Sequence, residues 1–309
     1  MKHILSCLLL LSASSALLAQ DFSHKKGAQN FTFKNVINPG DPAFDQLLGI
    51  NNAGTIAGYF GDGTLVPNNG FTTDPPYTAF IAENFPGAVQ TQVVGISNTG
   101  ETVGFYIDNA GVNHGFTDVR GTFTSVSNPN TTTVTQLLGV NAKGEAAGYY
   151  TNAAGNFVPF TWRDGTFTPI TFAGEVSAQA TDVNAAGVVT GFNMTSATTS
   201  SGFLDVRGTF TFLEFPGSVF TQAFGLNDCG QVVGSYVDAA GNTHGFIYHI
   251  ATMSFQEIND PNAVGPAGTV INGINDRGQI VGFYTDANGN VVGFVGTPTA
   301  PERGCFAQN

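Results

Sequence analysis

The sequence predicts an all-β fold: a six-bladed β-propeller of four-stranded antiparallel blades, its ring closed by the N-terminal strand. Three observations carry that prediction. The composition suits strands and tight turns, with 40 Gly and 27 Phe in 309 residues and only 10% charged residues, against roughly 25% in an ordinary soluble chain. One unit recurs six times. The two ends of the chain hold complementary parts of that unit.

The unit opens on Gly-aliphatic-Asn-x-x-Gly-x-x-x-Gly, at Gly49-Ile50-Asn51, Gly95-Ile96-Ser97, Gly139-Val140-Asn141, Asp182-Val183-Asn184, Gly225-Leu226-Asn227 and Gly273-Ile274-Asn275. The intervals of 46, 44, 43, 43 and 48 residues fit one propeller blade each. Strand one, as in Thr135 to Asn141, carries consecutive aliphatics, the pattern of a strand buried on both faces. Asn-x-x-Gly then makes a tight turn in which Gly supplies positive φ. Strand two ends in aromatics such as Phe105-Tyr106 and Tyr149-Tyr150. Its recurrent Gly (Gly58, Gly104, Gly148, Gly191, Gly234, Gly282) points to close approach of a neighbouring sheet. A turn of the Asp-x-x-Gly type leads to strand three and its Gly-Phe or Pro-Phe step, ending in Phe71, Phe116, Phe160, Phe203, Phe246 and Phe294. An Arg-Gly or Asp-Gly turn leads to strand four, Thr-Phe-Thr-x-hydrophobic, and a Pro-Gly-like loop. The stretch from Asp118 to Thr124 is repeated unchanged from Asp205 to Thr211.

The sixth copy stops after strand three. Phe31 to Val36, followed by Asn38-Pro39-Gly40, matches the missing strand four and its loop, so it is expected to complete the sixth blade. A parallel β-helix, the rival architecture, gives no reason for complementary ends. Residues 1–19 read as a secretory signal peptide, with an uncleaved anchor as the alternative. Lys2 and His3 precede the apolar run from Ile4 to Leu18, and Ala19 precedes the cut. Residues 20–30 are then a linker, 31–297 the propeller and 298–309 a C-terminal tail. No second long apolar segment follows, so the mature chain is expected to be bacterial, secreted or periplasmic, without a membrane span.

Lys and Arg number 10 against 22 Asp and Glu, a net charge of −12 with no basic run. Nucleic acid is excluded as a partner, because phosphate binding needs a positive footprint. Beyond the leader only Cys229 and Cys305 remain, and in an oxidising compartment they are expected to pair. Cys229 lies in the one-to-two turn of the fifth copy, on the same end as the exit from strand three of the sixth.

The run G-I-N-x-x-G-x-x-x-G-x-Y, then D-x-x-G-x-x-H-G-F, then G-x-F-T and P-G resembles the HAF repeats of extracellular bacterial repeat proteins. The copies from Gly95 to Thr124 and from Gly225 to Phe246 carry it best. Here the triplet is His-Gly-Phe, and His occurs only at His114 and His244. The resemblance implies export and repetition, and no settled activity.

No nucleophile elbow, zinc pair, Walker loop or dinucleotide fingerprint is present, and neither cofactor nor metal is expected. Asp286-x-Asn288-x-Asn290 begins like a calcium loop but lacks the Gly and Glu that complete one. Asp164-Gly165-Thr166 resembles a sialidase Asp-box without its flanking Ser-x-Asp and Trp, and Trp162 reads as core. The acids that break the repeat, Glu83, Glu175, Asp182, Glu214 and Glu257, are the candidates for acid–base chemistry. An enzyme would need several of them around one pocket. The expected ligand face is the end carrying the Pro-Gly loops and the two-to-three hairpins. It would present Gln46, Gln92, Gln136, Gln179 and Gln222, with Tyr106 and Asp108, Tyr236 and Asp238, and Tyr284 and Asp286 from the hairpins. Gln donates and accepts hydrogen bonds and aromatics offer flat apolar surface, a combination suited to sugars. The competing reading has Gln serving backbone groups, Asp bracing its turn and Tyr packing between blades. The sequence thus points to a non-enzymatic binding or surface-interaction module for a glycan, another polar polymer or a protein. A carbohydrate-active hydrolase or lyase is the alternative, and a structural envelope protein the third option. Oligomeric state is not legible.

Overall fold

The computed structural model describes residues 31–300, and every regular element among them is a strand. The expected leader, the linker and Cys305 lie outside the described residues. Strand one of the six copies is Asp45–Ile50, Gln90–Ile96, Thr135–Val140, Ala178–Val183, Phe220–Leu226 and Thr269–Ile274. Strand two is Ile56–Phe60, Thr102–Ile107, Ala146–Thr151, Val188–Ser196, Gln231–Val237 and Ile280–Thr285. Strand three is Asn69–Thr73, Asn113–Val119, Phe157–Arg163, Thr199–Val206, Thr243–His249 and Val291–Pro298. Strand four is Phe80–Ala82, Thr122–Val126, Thr166–Pro169, Thr209–Leu213 and Ser254–Ile258 in the first five copies. Each copy is an antiparallel sheet in the order one-two-three-four, and parallel bridges join some neighbouring copies, Ser200 to Phe220, Asn113 to Val134 and Val291 to Phe44. In the sixth copy, strand three pairs antiparallel with the N-terminal strand Phe31–Asn35, in register from Phe31 opposite Pro298 to Asn35 opposite Phe294.

The one-to-two turns form as their sequence dictates. Asn51 Oδ1 accepts the N–H groups of Ala53 and Thr55, both at 3.0 Å, and Gly54 sits at φ +90°. The same side chain braces the turn at Asn141, Asn184, Asn227 and Asn275.

Strand one departs from a plain ladder. In all six copies the register to strand two slips by one residue, between Leu47 and Gly49 and at the equivalent positions, which is a β-bulge. The bulge accounts for both glycine series. A Cβ at Gly104 would overlap the Gln92 carbonyl of strand one in the same sheet, and Gly58, Gly148, Gly191, Gly234 and Gly282 meet the equivalent carbonyl. The expectation of a neighbouring sheet at these glycines is therefore corrected. The intruding atom belongs to the copy's own first strand. The neighbouring copy instead approaches the glycines that open each unit, where a Cβ at Gly49 would lie 2.8 Å from Val94 O and one at Gly273 2.8 Å from Leu48 O.

The core is divided among the boundaries between successive copies. Leu213, Phe215, Tyr236 and Phe246 pack between copies four and five, and Val281, Val295, Leu47 and Phe71 between copies six and one. The Phe of each Gly-Phe or Pro-Phe step, from Phe71 to Phe294, is fully buried. Phe33 of the N-terminal strand stands edge-on to Phe294 with ring centroids 5.3 Å apart.

Candidate functional site

The six first strands run the same way, so their trailing turns gather at one end. There the glycines described above let consecutive first strands approach backbone to backbone, and the turn residues link across the copies. Asn51 donates its side-chain N–H to Ser97 O, Asn141 to Asn184 O, Asn184 to Asn227 O, Asn227 to Asn275 O, and Asn275 to Asn51 O, at 2.9–3.4 Å. Ser97 replaces Asn in copy two and omits one link. The next residues form a second set of links. Asn98 Oδ1 accepts from Asn52 N–H, Asp228 Oδ1 from Ala185 N–H, Asp276 Oδ1 from Asp228 N–H and Asn52 Oδ1 from Asp276 N–H, at 2.8–2.9 Å. Asn52 Nδ2 also donates to Asp276 Oδ2 at 2.6 Å.

Between these turns lies a pocket of about 80 Å³, to which all six copies contribute. Its rim is polar: Asn52, Ser97, Asn98, Asn184, Asp228 and Asp276, over a floor of Ile50, Ile96, Val140, Val183, Leu226 and Ile274. Asn98 Nδ2 and Asp228 Oδ2 take no partner among the described residues, which leaves one donor and one charged acceptor for a ligand. Asp182, in the place of the usual opening Gly, also lines the pocket. Its Oδ2 accepts Leu226 N–H at 3.0 Å and its Oδ1 accepts Val183 N–H at 2.8 Å, so it staples two first strands. Burial pushes its carboxyl up to about 7, against the lowering effect of those N–H donors.

At the opposite end the expected site residues serve mostly the interior. Gln46 and Gln136 accept the hydroxyls of Tyr59 and Tyr149 at 2.8 Å, and Gln92 donates to Asn68 Oδ1 at 2.8 Å. Gln92 and Gln179 are buried, and Gln222 is half-buried. Tyr106, Tyr236 and Tyr284 are buried too. Tyr106 stacks on Phe85 at 3.7 Å and donates or accepts with Ser125 Oγ. Tyr236 stacks on Phe215 at 3.6 Å and donates to Glu257 Oε2. Tyr284 accepts from Asn35 Nδ2. Asp108, Asp238 and Asp286 brace their hairpins, each Oδ1 accepting two backbone N–H groups at 2.8–2.9 Å. The second oxygens of Asp108 and Asp238 lie 3.2 Å from Nε2 of His114 and His244, whose rings stand 5.1 Å from Tyr106 and Tyr236.

The repeat-breaking acids do not converge. Glu83 is buried between copies one and two, facing Asp118 and the Thr102 hydroxyl, and burial raises its carboxyl to about 7. Glu214 accepts from Ser201, Glu257 from Tyr236, and the Glu175 carboxyl from the Phe172 backbone N–H. Only Asp182 reaches the pocket. Trp162 packs at the edge of the core between copies two and three. Among the described residues no group of three or more His, Cys, Asp and Glu is placed to hold a metal ion, and no helix is long and apolar enough to cross a membrane. Sequence reasoning did not single out the axial pocket. Its only signal was the variable position after each Asn: Asn52, Asn98, Ala142, Ala185, Asp228 and Asp276.

No family model and no curated protein matches the chain. Solved structures do. A putative TolB from Agrobacterium tumefaciens is 12% identical over 85% of this chain and 95% of its own, with a TM-score of 0.60. The six-bladed β-propeller fucose-recognising lectin of Aleuria aurantia is 10% identical over 87% of this chain and 99% of its own, with a TM-score of 0.50. A prolyl endopeptidase is 11% identical with a TM-score of 0.47, and the chain spans 40% of its length. At such identities the likeness to the TolB and the lectin carries the fold alone, and that fold is a β-propeller.

Proposed function

We propose that the chain is a six-bladed propeller whose ring is closed by Phe31–Asn35, and that it acts as an exported, non-enzymatic binding module for a glycan or similar polar ligand held in the axial pocket. The observation that carries this reading is the pocket itself, lined by every copy, with a polar rim that leaves a free amide donor at Asn98 and a free carboxylate oxygen at Asp228. Closure is supported by the pairing of Phe31–Asn35 with Val291–Pro298 and by the Asn275-to-Asn51 link. Kinship with HAF-repeat proteins and export rest on the sequence. The lectin's fucose recognition is its own, but it makes glycans the first ligands to try. A glycan array with the purified protein, repeated with Asp228→Ala and Asn98→Ala, tests the reading. Binding is expected to fall at least ~10-fold in each variant, the effect of losing hydrogen bonds to a charged or amide group. Binding that survives both changes removes the pocket from the reading. Asp182 favours a hydrolase or lyase as the second reading, because a carboxyl held near neutrality can exchange protons. Turnover of a bound glycan that is lost in Asp182→Asn would establish it.

A further inference from the structure

The two ends of the molecule differ in charge. The Lys and Arg residues among the described ones are Lys34, Arg120, Lys143, Arg163, Arg207 and Arg277. Arg120, Arg163 and Arg207 flank three-to-four turns, and Lys143 and Arg277 lie in one-to-two turns. Lys34 reaches the Pro76 carbonyl in another three-to-four turn at 2.6 Å. All six thus point to the pocket end. The end made by the four-to-one loops and two-to-three hairpins carries none of them, and carries Asp41, Asp62, Asp108, Glu175, Asp238 and Asp286.

That acidic end is also apolar in a regular way. Each four-to-one loop of copies two, four, five and six places a Val at the same position, and all four are exposed: Val89 49%, Val176 47%, Val219 71% and Val264 44%. Leu65, in the first hairpin, is 90% exposed. The valines are held out rather than loosely placed. Val89 N–H donates to Ile107 O at 2.8 Å, Val264 N–H to Thr285 O at 2.9 Å, and Val219 O accepts Ser200 N–H at 3.1 Å. Val89 is thereby seated beside Asp108, and Val264 beside Asp286.

We propose that this end is a docking surface for a protein partner that presents Lys or Arg side chains among apolar ones. Charge complementarity selects that occupant. A second copy docking by the same end would bring one acidic rim against another, and like charges facing each other oppose association; its opposite end sets Asp74, Glu101, Asp164 and Asp205 among its cations and so offers less positive charge than a Lys- or Arg-bearing partner. An anionic membrane is repelled for the same reason. The charge is durable: backbone N–H donors hold Asp62 down to about 2 and keep Asp108 and Asp286 below the usual carboxylate range.

The hairpins supply a clean variant. In copy three the bracing residue is Asn152, whose Oδ1 accepts Ala154 and Asn156 N–H at 2.9 and 3.1 Å, just as the aspartates do. Asp62→Asn, Asp108→Asn, Asp238→Asn and Asp286→Asn together remove the charge and keep the turns. The probe is a short lysine–leucine peptide, with its glutamate–leucine counterpart as control, titrated calorimetrically at low and raised salt. The wild-type chain is expected to bind the cationic peptide alone, and the quadruple variant about 10-fold more weakly or worse at low salt, where screening is least. Val89→Ser with Val219→Ser is expected to weaken binding with the salt dependence unchanged. A control variant at the other end, Asp74→Asn, Glu101→Gln, Asp164→Asn and Asp205→Asn, removes as many charges. Equal loss in the control would mean attraction to net charge alone and overturn the proposal, as would no binding by the wild type, or self-association through the valines. The axial pocket is untouched by these variants, so glycan binding reports on that site separately.

Discussion

Replacing Asp45 with Thr isolates the cost of one buried acid. In copies two, three, five and six the same position is Thr91, Thr135, Thr221 and Thr269, and each hydroxyl accepts the N–H of a residue in the preceding loop at 3.0 Å. Asp45 does this for Asn38 N–H, also at 3.0 Å, but it is fully buried and its Oδ2 has no partner. Burial raises its carboxyl from 3.8 to about 7, the Asn38 N–H opposing the shift only in part. A folded-state value above the unfolded one means the fold prefers the protonated acid. Stability is therefore whole below about pH 4, falls as the pH climbs to about 7, and is level beyond. At 1.36 kcal/mol per unit, a rise of about three units is worth roughly 4 kcal/mol, and water entry and relaxation bring the realised figure to about 2–4 kcal/mol. Urea unfolding between pH 4 and pH 8 is expected to show Asp45→Thr more stable than wild type by that amount at the alkaline end. The two curves should converge to within about 1 kcal/mol at the acid end. A constant offset at every pH would refute the reasoning, since only a titrating group makes the difference vary.

Glu83→Gln should act in the same direction, because it ends the confrontation with Asp118 while leaving the Thr102 hydroxyl a partner. Its unfolding midpoint is expected to rise at pH 8 and stay put at pH 4.5. Gly104→Ala drives a methyl into the Gln92 carbonyl and should cost about 3 kcal/mol or more, whereas Gly111→Ala, with open space around it at φ +80°, should cost about 1 kcal/mol. Equal losses would leave the bulge without its role. Deleting residues 31–36 strips a strand from the sixth copy and exposes the two apolar clusters that Phe33 and Val36 enter. A loss of roughly 4 kcal/mol or more is expected from that apolar area, and an unchanged thermal midpoint would count against ring closure. Cys229 Sγ lies 3.5 Å from Asp276 O in the adjacent turn, at the end where strand three of the sixth copy finishes at Pro298. Alkylation and mass spectrometry of exported protein should find Cys229 and Cys305 joined, and two alkylated thiols would discard the bridge.

Much of the architecture was written in the repeat. The Asn-x-x-Gly turns, the buried Phe of strand three and the fourth strand supplied by Phe31–Asn35 all follow from residue type and spacing, because tight turns and full burial tolerate few substitutes. The bulge was not legible: an extra residue in strand one leaves no mark in a run of aliphatics, and the mid-strand glycines were accordingly referred to the wrong neighbour. The site was harder still. Gln46 and Gln136 look available as letters, yet the Tyr that occupies each lies 13 residues along the chain, and only the register brings them together. Exposure of Val89 and Val219 was equally hidden, since a Val beside Pro-Gly reads as packing until the backbone hydrogen bonds show which way it faces.

The Asn links around the pocket have a direction. Each copy but the second gives a hydrogen bond to the next, and each but the third takes one from the copy before, so the contact between copies is head-to-tail. Among separate subunits such a contact ends in one of two ways, by returning to its starting point or by growing without limit. Asn275 gives to Asn51, the link that a return requires. A chain that loses a copy through proteolysis or a recombination slip keeps an unused donor edge at one end and an unused acceptor edge at the other, each lined with strand and apolar core. Such a remnant carries the two complementary edges that head-to-tail growth requires.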